Sequence, residues 1–133
     1  VFVNSGSSAI LVALQTLLEC GKISKGEKVV VPALAWATDL SPVIQLGLQP
    51  ILCDCNLEDL SIDLEHFENI CNQHKDIKAL LFVSVLGLVP DMTSLMSLCV
   101  KHNVIFSSTK TRSALSIFST VPFLLPKDFP SSS

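Results

Sequence analysis

Residues 79–85 read Ala-Leu-Leu-Phe-Val-Ser-Val, an almost unbroken apolar run of strand length. A strand with one wet face alternates apolar and polar residues. A run without alternation is covered on both faces, and helices packed on both sides of a parallel sheet are the usual cover. Related runs recur at 1–3, at 28–31 (Lys-Val-Val-Val, closed by Pro32), at 50–54, and from 104 to 106. Between them the apolar spacing turns helical, over 9–20, 38–46, 64–74 and 92–102. Gly21 and Gly47 stand where helix ends want a left-handed residue, and Asp63 and Asp91 stand where N-caps belong. Pro42 is expected near the first turn of its helix, where a missing N–H is tolerated. Strands alternating with helices predict a three-layer α/β/α fold with a mostly parallel sheet.

With 133 residues the chain is long enough for one domain. Hydrophobic residues make up 49% and charged residues 16%, the reverse of a disordered tail. Nine Lys+Arg against twelve Asp+Glu offer no basic stripe for phosphate backbones, so no nucleic-acid partner is expected. No apolar run approaches the roughly 20 residues of a bilayer span, so no membrane partner is expected either. The chain opens on Val1-Phe2-Val3, without a start methionine, and carries more apolar residue than a domain of this size usually hides. A piece of a longer protein is the expectation. The five cysteines, Cys20, Cys53, Cys55, Cys71 and Cys99, form no disulfide framework or C-x-x-C turn. Reduced thiols, no metal site and a cytoplasmic location are therefore expected.

Beyond Phe106 the alternation stops. Residues 107–133 are rich in Ser, Thr, Pro and Phe, and read as an irregular tail after a folded part spanning 1–106. The run Ser108-Thr109-Lys110-Thr111-Arg112, read two nucleotides out of phase, can encode Asp-Glu-Asp-Ala. The tail is accordingly expected to derive from a shifted reading frame.

Two stretches carry chemistry. Asn4-Ser5-Gly6-Ser7-Ser8 lies between a strand and a helix, where free backbone N–H groups, the positive end of a helix dipole and small residues suit a phosphate. Taken alone it also fits an ordinary serine N-cap with a glycine turn. Trp36, the single tryptophan, falls just past the second strand, at the sheet edge where open α/β folds bind ligands. Its ring could stack on a planar cofactor, and it equally fits a core position.

Together with Gly26-Glu27-Lys28-Val29-Val30-Val31-Pro32-Ala33, Gly47-Leu48-Gln49-Pro50-Ile51-Leu52-Cys53-Asp54, Leu60-Ser61-Ile62-Asp63 and Gly87-Leu88-Val89-Pro90-Asp91-Met92, these residues resemble the DegT/DnrJ/StrS family of sugar aminotransferases over roughly 1–105. The resemblance implies part of the large domain of a fold-type-I enzyme dependent on pyridoxal 5′-phosphate (PLP). The implied activity moves an amino group from an amino acid, usually glutamate, to a nucleotide-linked keto-sugar, in a homodimer. Gly6, Ser7 and Ser8 would bind the cofactor phosphate and Trp36 would stack on its pyridine ring.

Three departures accompany the resemblance. The Schiff-base lysine of the family matches none of Lys22, Lys25, Lys28, Lys75, Lys78 or Lys101 and is expected beyond the C-terminus, so no catalytic residue is assigned here and this stretch alone is expected to be inactive. Ser84 stands where the family usually has histidine. The family's Glu-Asp-Ala, whose Asp pairs with the pyridinium nitrogen, is missing after the last strand, which is where the shifted frame would restore it. Two other readings use the same scaffold: a PLP-dependent sugar 3-dehydratase, and a non-catalytic regulatory remnant.

Overall fold

A computed structural model describes residues 3–84, 88–109 and 123–124. The elements run α1 (Gly6–Glu19), β1 (Lys28–Pro32), α2 (Ala37–Gln45), β2 (Gln49–Cys53), α3 (Leu64–Gln73), β3 (Ile77–Val83), α4 (Met92–His102), β4 (Ile105–Thr109) and β5 (Phe123–Leu124). The sheet order is β2-β1-β3-β4-β5. The first four strands are mutually parallel, and only β5 runs antiparallel, against β4.

Alternation along each strand sorts its side chains between two cores. Val29 and Val31 of β1, Ala79 and Leu81 of β3 and Ile105 of β4 join Ile10, Leu14, Leu17 and Val43 from α1 and α2. Val30, Leu80, Phe82 and Phe106 point the other way, into Phe67, Ile70, Cys71, Leu95 and Cys99 of α3 and α4. Both faces of β3 are thus covered, the physical reason its sequence does not alternate. On that second face the Phe82 and Phe106 rings stack with centroids 5.8 Å apart. Each large apolar side chain taken fully out of water stabilises the fold by about 1.5–3 kcal/mol before entropy is counted.

The helices end as their capping residues dictate. The Asp63 carboxylate accepts from His66 N–H, and Asp91 accepts from Thr93 N–H. Asn103 closes α4 in the left-handed region (φ 54°), and Gly47 (φ 73°) turns the chain from α2 into β2. All five cysteines are free. Cys53, Cys71 and Cys99 are buried, which pushes their thiols up to about 12, 11 and 12 respectively. Such thiols stay protonated and inert.

Several expected boundaries move. The strand expected over 1–3 falls on residues 1–2, outside the described residues, and on Val3, which is irregular; Val85 also lies outside them. Helix α1 starts at Gly6 rather than at residue 9, so Ser7 and Ser8 belong to its first turn. Pro42 is the sixth residue of α2 rather than a first-turn residue, and is buried there. The regular structure does not stop at Phe106: β4 continues through Ser107 and Ser108 to Thr109, because its register against Leu81, Phe82 and Val83 of β3 carries the ladder on. Backbone pairing to a buried neighbour overrides the polar composition there.

Candidate active site

Each helix follows one parallel strand and leads into the next, or in the case of α1 leads into β1, so all four helix N-termini gather at the C-terminal edge of the sheet. Helices α1 and α2 lie side by side on one face. The edge therefore brings Gly6, Ser7 and Ser8, in the first turn of α1, to the same side of the sheet as Trp36, the N-cap of α2.

The start of α1 is built from small hydrogen-bonding groups. Ser5 is the N-cap, extended at φ −156° and ψ 163°, and its Oγ accepts from Ser8 N–H at 3.1 Å. Ser8 Oγ donates to Asn4 Oδ1 at 2.8 Å and lies 2.9 Å from Ser5 Oγ. The ordinary capping role thus belongs to Ser5, which leaves Ser7 outside it. Among the described residues the N–H groups of Gly6 and Ser7 take no bond, as expected of the first helical turn. A Cβ added at Gly6 would meet no atom within 4 Å, so the chain leaves room beside this residue. No acidic residue occupies the first turn of α1.

The other helix starts differ. Asp39 sits in the first turn of α2, α3 begins with Asp63 and Glu65, and α4 begins with Asp91. The loops leading into α3 and α4 line a hollow of about 800 Å³ with Asp54, Asp59, Asp63, Glu65 and Asp91. Its carboxylates are served from within. Ser61 donates to Asp59 through both Oγ and backbone N–H, and Ser94 and Thr93 donate to Asp91. Those bonds hold both carboxyls below the usual range. Negative charge gathers at this hollow, whereas the first turn of α1 carries none.

Trp36 is 73% exposed, which removes the core alternative and leaves its ring free to cover a ligand. Asp39, a residue the sequence analysis did not single out, accepts from the Trp36 N–H at 3.1 Å through Oδ2. Burial pushes its carboxyl up, and the Trp36 bond partly offsets this. The signal was available in the sequence as a carboxylate three residues past an N-cap position. Ser84, just past the end of β3, donates to the Leu88 carbonyl at 3.1 Å and so ties off its own loop. In the middle of β4, Ser107 Oγ is buried without a partner among the described residues.

An open amide cradle and a flat exposed ring at one sheet edge suit a phosphate-bearing planar cofactor, and the sequence model of the DegT/DnrJ/EryC1/StrS aminotransferase family matches residues 1–108. The chain belongs to this family. It is 35% identical over 89 residues, 65% of its length, to the GDP-4-keto-6-deoxy-D-mannose 3-dehydratase of Escherichia coli O55:H7. It is 30% identical over 100 residues, 75% of its length, to the L-glutamine:2-deoxy-scyllo-inosose aminotransferase of Streptomyces lividus. The chain spans 22% of the length of each of these curated relatives. Among solved structures, the E. coli GDP-4-keto-6-deoxy-D-mannose-3-dehydratase with bound hydrated PLP superposes with a TM-score of 0.75 at 28% identity. That match covers 83% of this chain and 28% of that one. The fold is thus that of the fold-type-I PLP enzymes. The family is a family of PLP-dependent enzymes, comprising sugar aminotransferases and the related 3-dehydratase. Among the described residues no helix is long and apolar enough to cross a membrane.

Proposed function

We propose that this family member is the cofactor-gripping part of a PLP-dependent enzyme that transfers an amino group from an amino acid, glutamate in the first instance, to a nucleotide-linked keto-sugar. When bound, PLP supplies the electron sink for that chemistry. The chain's own residues hold and orient it. The free amides of Gly6 and Ser7, with the Ser7 and Ser8 hydroxyls, take the phosphate, and Trp36 lies against the ring. The observation that carries this reading is the contrast among the four helix starts. Among the described residues only α1 presents its N-terminal amides with neither a carboxylate cap nor an acid in the first turn, and it does so at the same sheet edge as the exposed Trp36.

Because Trp36 is the single tryptophan, its fluorescence reports on the site directly. Titration of the 133-residue chain with PLP is expected to quench it saturably, with inorganic phosphate competing. A Ser7→Ala/Ser8→Ala variant is expected to bind roughly tenfold more weakly, the loss of two modest hydrogen bonds. Quenching that does not saturate, or that phosphate leaves untouched, removes the proposal. The chain is expected to bind without turning over, its lysine partner lying on chain beyond residue 133 in a homodimer of the longer protein.

The 35% identity to a 3-dehydratase favours a second reading, in which the same cofactor site serves removal of a sugar hydroxyl. Product analysis of the longer protein with a nucleotide keto-sugar and glutamate separates them, as an amino sugar or a deoxy sugar. The tail from about residue 107 is proposed to come from a shifted frame. The buried Ser107 hydroxyl, unpartnered among the described residues, and a family match that ends at residue 108 support this. Coding DNA in which no shifted frame yields Glu-Asp-Ala removes it.

A further inference from the structure

Trp36 keeps its place without burial. Its ring is 73% exposed, so packing does not immobilise it, and its side chain makes no capping bond to α2. Two backbone contacts to one residue hold it instead. Asp39 Oδ2 accepts from the Trp36 N–H at 3.1 Å, and the Asp39 N–H donates to the Trp36 carbonyl at 2.9 Å. The peptide groups on both sides of the tryptophan Cα are thereby tied to Asp39, which sets the direction of its Cα–Cβ bond. Asp39 itself is only 8% exposed, on the buried side of α2 with Pro42 and Val43. A carboxylate that deep is costly unless it is bonded, and the bond the structure gives it is the one from Trp36. The second bond is ordinary to any helix start. The first requires an acceptor at position 39.

We infer that Asp39 is a positioning residue: its carboxylate clamps the backbone of Trp36 so that the indole stands ready at the sheet edge over a planar heterocycle. The inference rests on the PLP reading of the α1 and Trp36 site, and it assigns the orientation of the stacking ring to a side chain on the buried side of α2 that acts through the Trp36 backbone.

The test uses the 133-residue chain and its single tryptophan. Steady-state anisotropy of Trp36 without ligand reads the clamp alone, PLP quenching reads the site, and far-UV circular dichroism reads the fold. Asp39→Ala is expected to lower the anisotropy and weaken PLP quenching roughly 3- to 10-fold, the equivalent of one hydrogen bond's net contribution. Asp39→Asn retains a carbonyl acceptor and is expected to restore both to within about twofold of the parent. Should the alanine variant not fold, Asp39→Val keeps the branched shape without an acceptor and is read the same way. Unchanged anisotropy and unchanged quenching in a folded acceptor-less variant overturn the inference. So does failure of asparagine to rescue, and so does loss of fold in both acceptor-less variants, which would make Asp39 structural only. Absence of PLP quenching in the parent chain would instead defeat the cofactor reading, with the ligand-free anisotropy still testing the clamp.

Discussion

On one side of the sheet's C-terminal edge, α1 begins with Asn4-Ser5-Gly6-Ser7-Ser8; on the other, α3 and α4 begin with Asp63, Glu65 and Asp91. Both sides rest on the same four parallel strands, and both present the positive ends of helices of similar length. They answer that charge differently. At α3 and α4 a carboxylate from the chain itself accepts one amide of the first turn and sets a negative charge against the helix end, which stabilises it. At α1 a neutral serine accepts one amide, and no acid stands in the cap or the first turn. The difference between the two sides is therefore one of charge: the dipole ends of α3 and α4 are answered by the chain's own carboxylates, and that of α1 is not.

The largest way to break the comparison is to empty the core on the α3 and α4 side. Phe67 of α3 is fully buried, and Phe67→Ala is expected to cost about 3–5 kcal/mol, enough to abolish cooperative urea unfolding and PLP quenching together. Making the α1 side resemble the other comes next. Gly6→Asp places a carboxylate in the first turn of α1, where a Cβ meets nothing. It is expected to raise stability by about 0.3–1 kcal/mol while weakening PLP binding by roughly tenfold or more, because the new charge competes with the phosphate. A variant that loses both stability and binding would contradict the account. The reverse change strips the internal cap from α3. Asp63→Ala removes the acceptor of His66 N–H and is expected to cost about 0.5–2 kcal/mol by urea midpoint, with PLP quenching unchanged.

The smallest effect is one of pH. The bonds from Ser94 and Thr93 lower the Asp91 carboxyl, so its contribution is present above the ordinary carboxylate value of about 3.9 and is lost as pH falls through the lower folded value. Urea midpoints of the parent and Asp91→Asn should differ slightly at neutral pH and converge in acid. Divergence on acidification would mean the sign is wrong.

Much of the fold was legible because burial writes itself into strand composition. The unalternating run at 79–85 required two covered faces, and β3 has them. The caps Asp63 and Asp91 were readable because a side-chain acceptor next to an amide is a local matter. What depended on distant partners was not readable. Ser107–Thr109 have no strand-forming period of their own and are extended because β3 offers them a ladder. Pro42 was placed by the local tolerance of a missing N–H in a first turn, whereas it is the sixth residue of α2 and buried there, a matter of tertiary packing.

The sequence by itself therefore determined the layer order, the caps and the small-residue start of α1, since each follows from local propensity or the period of apolar residues. Only the tertiary structure decided that Trp36 stands in solvent, that Asp39 is buried behind it, and that both share an edge with Gly6, Ser7 and Ser8. The reason is physical. Exposure and neighbourhood are properties of how helices settle on the sheet, and residues some thirty positions apart come to one edge only once β1 has paired with its neighbours.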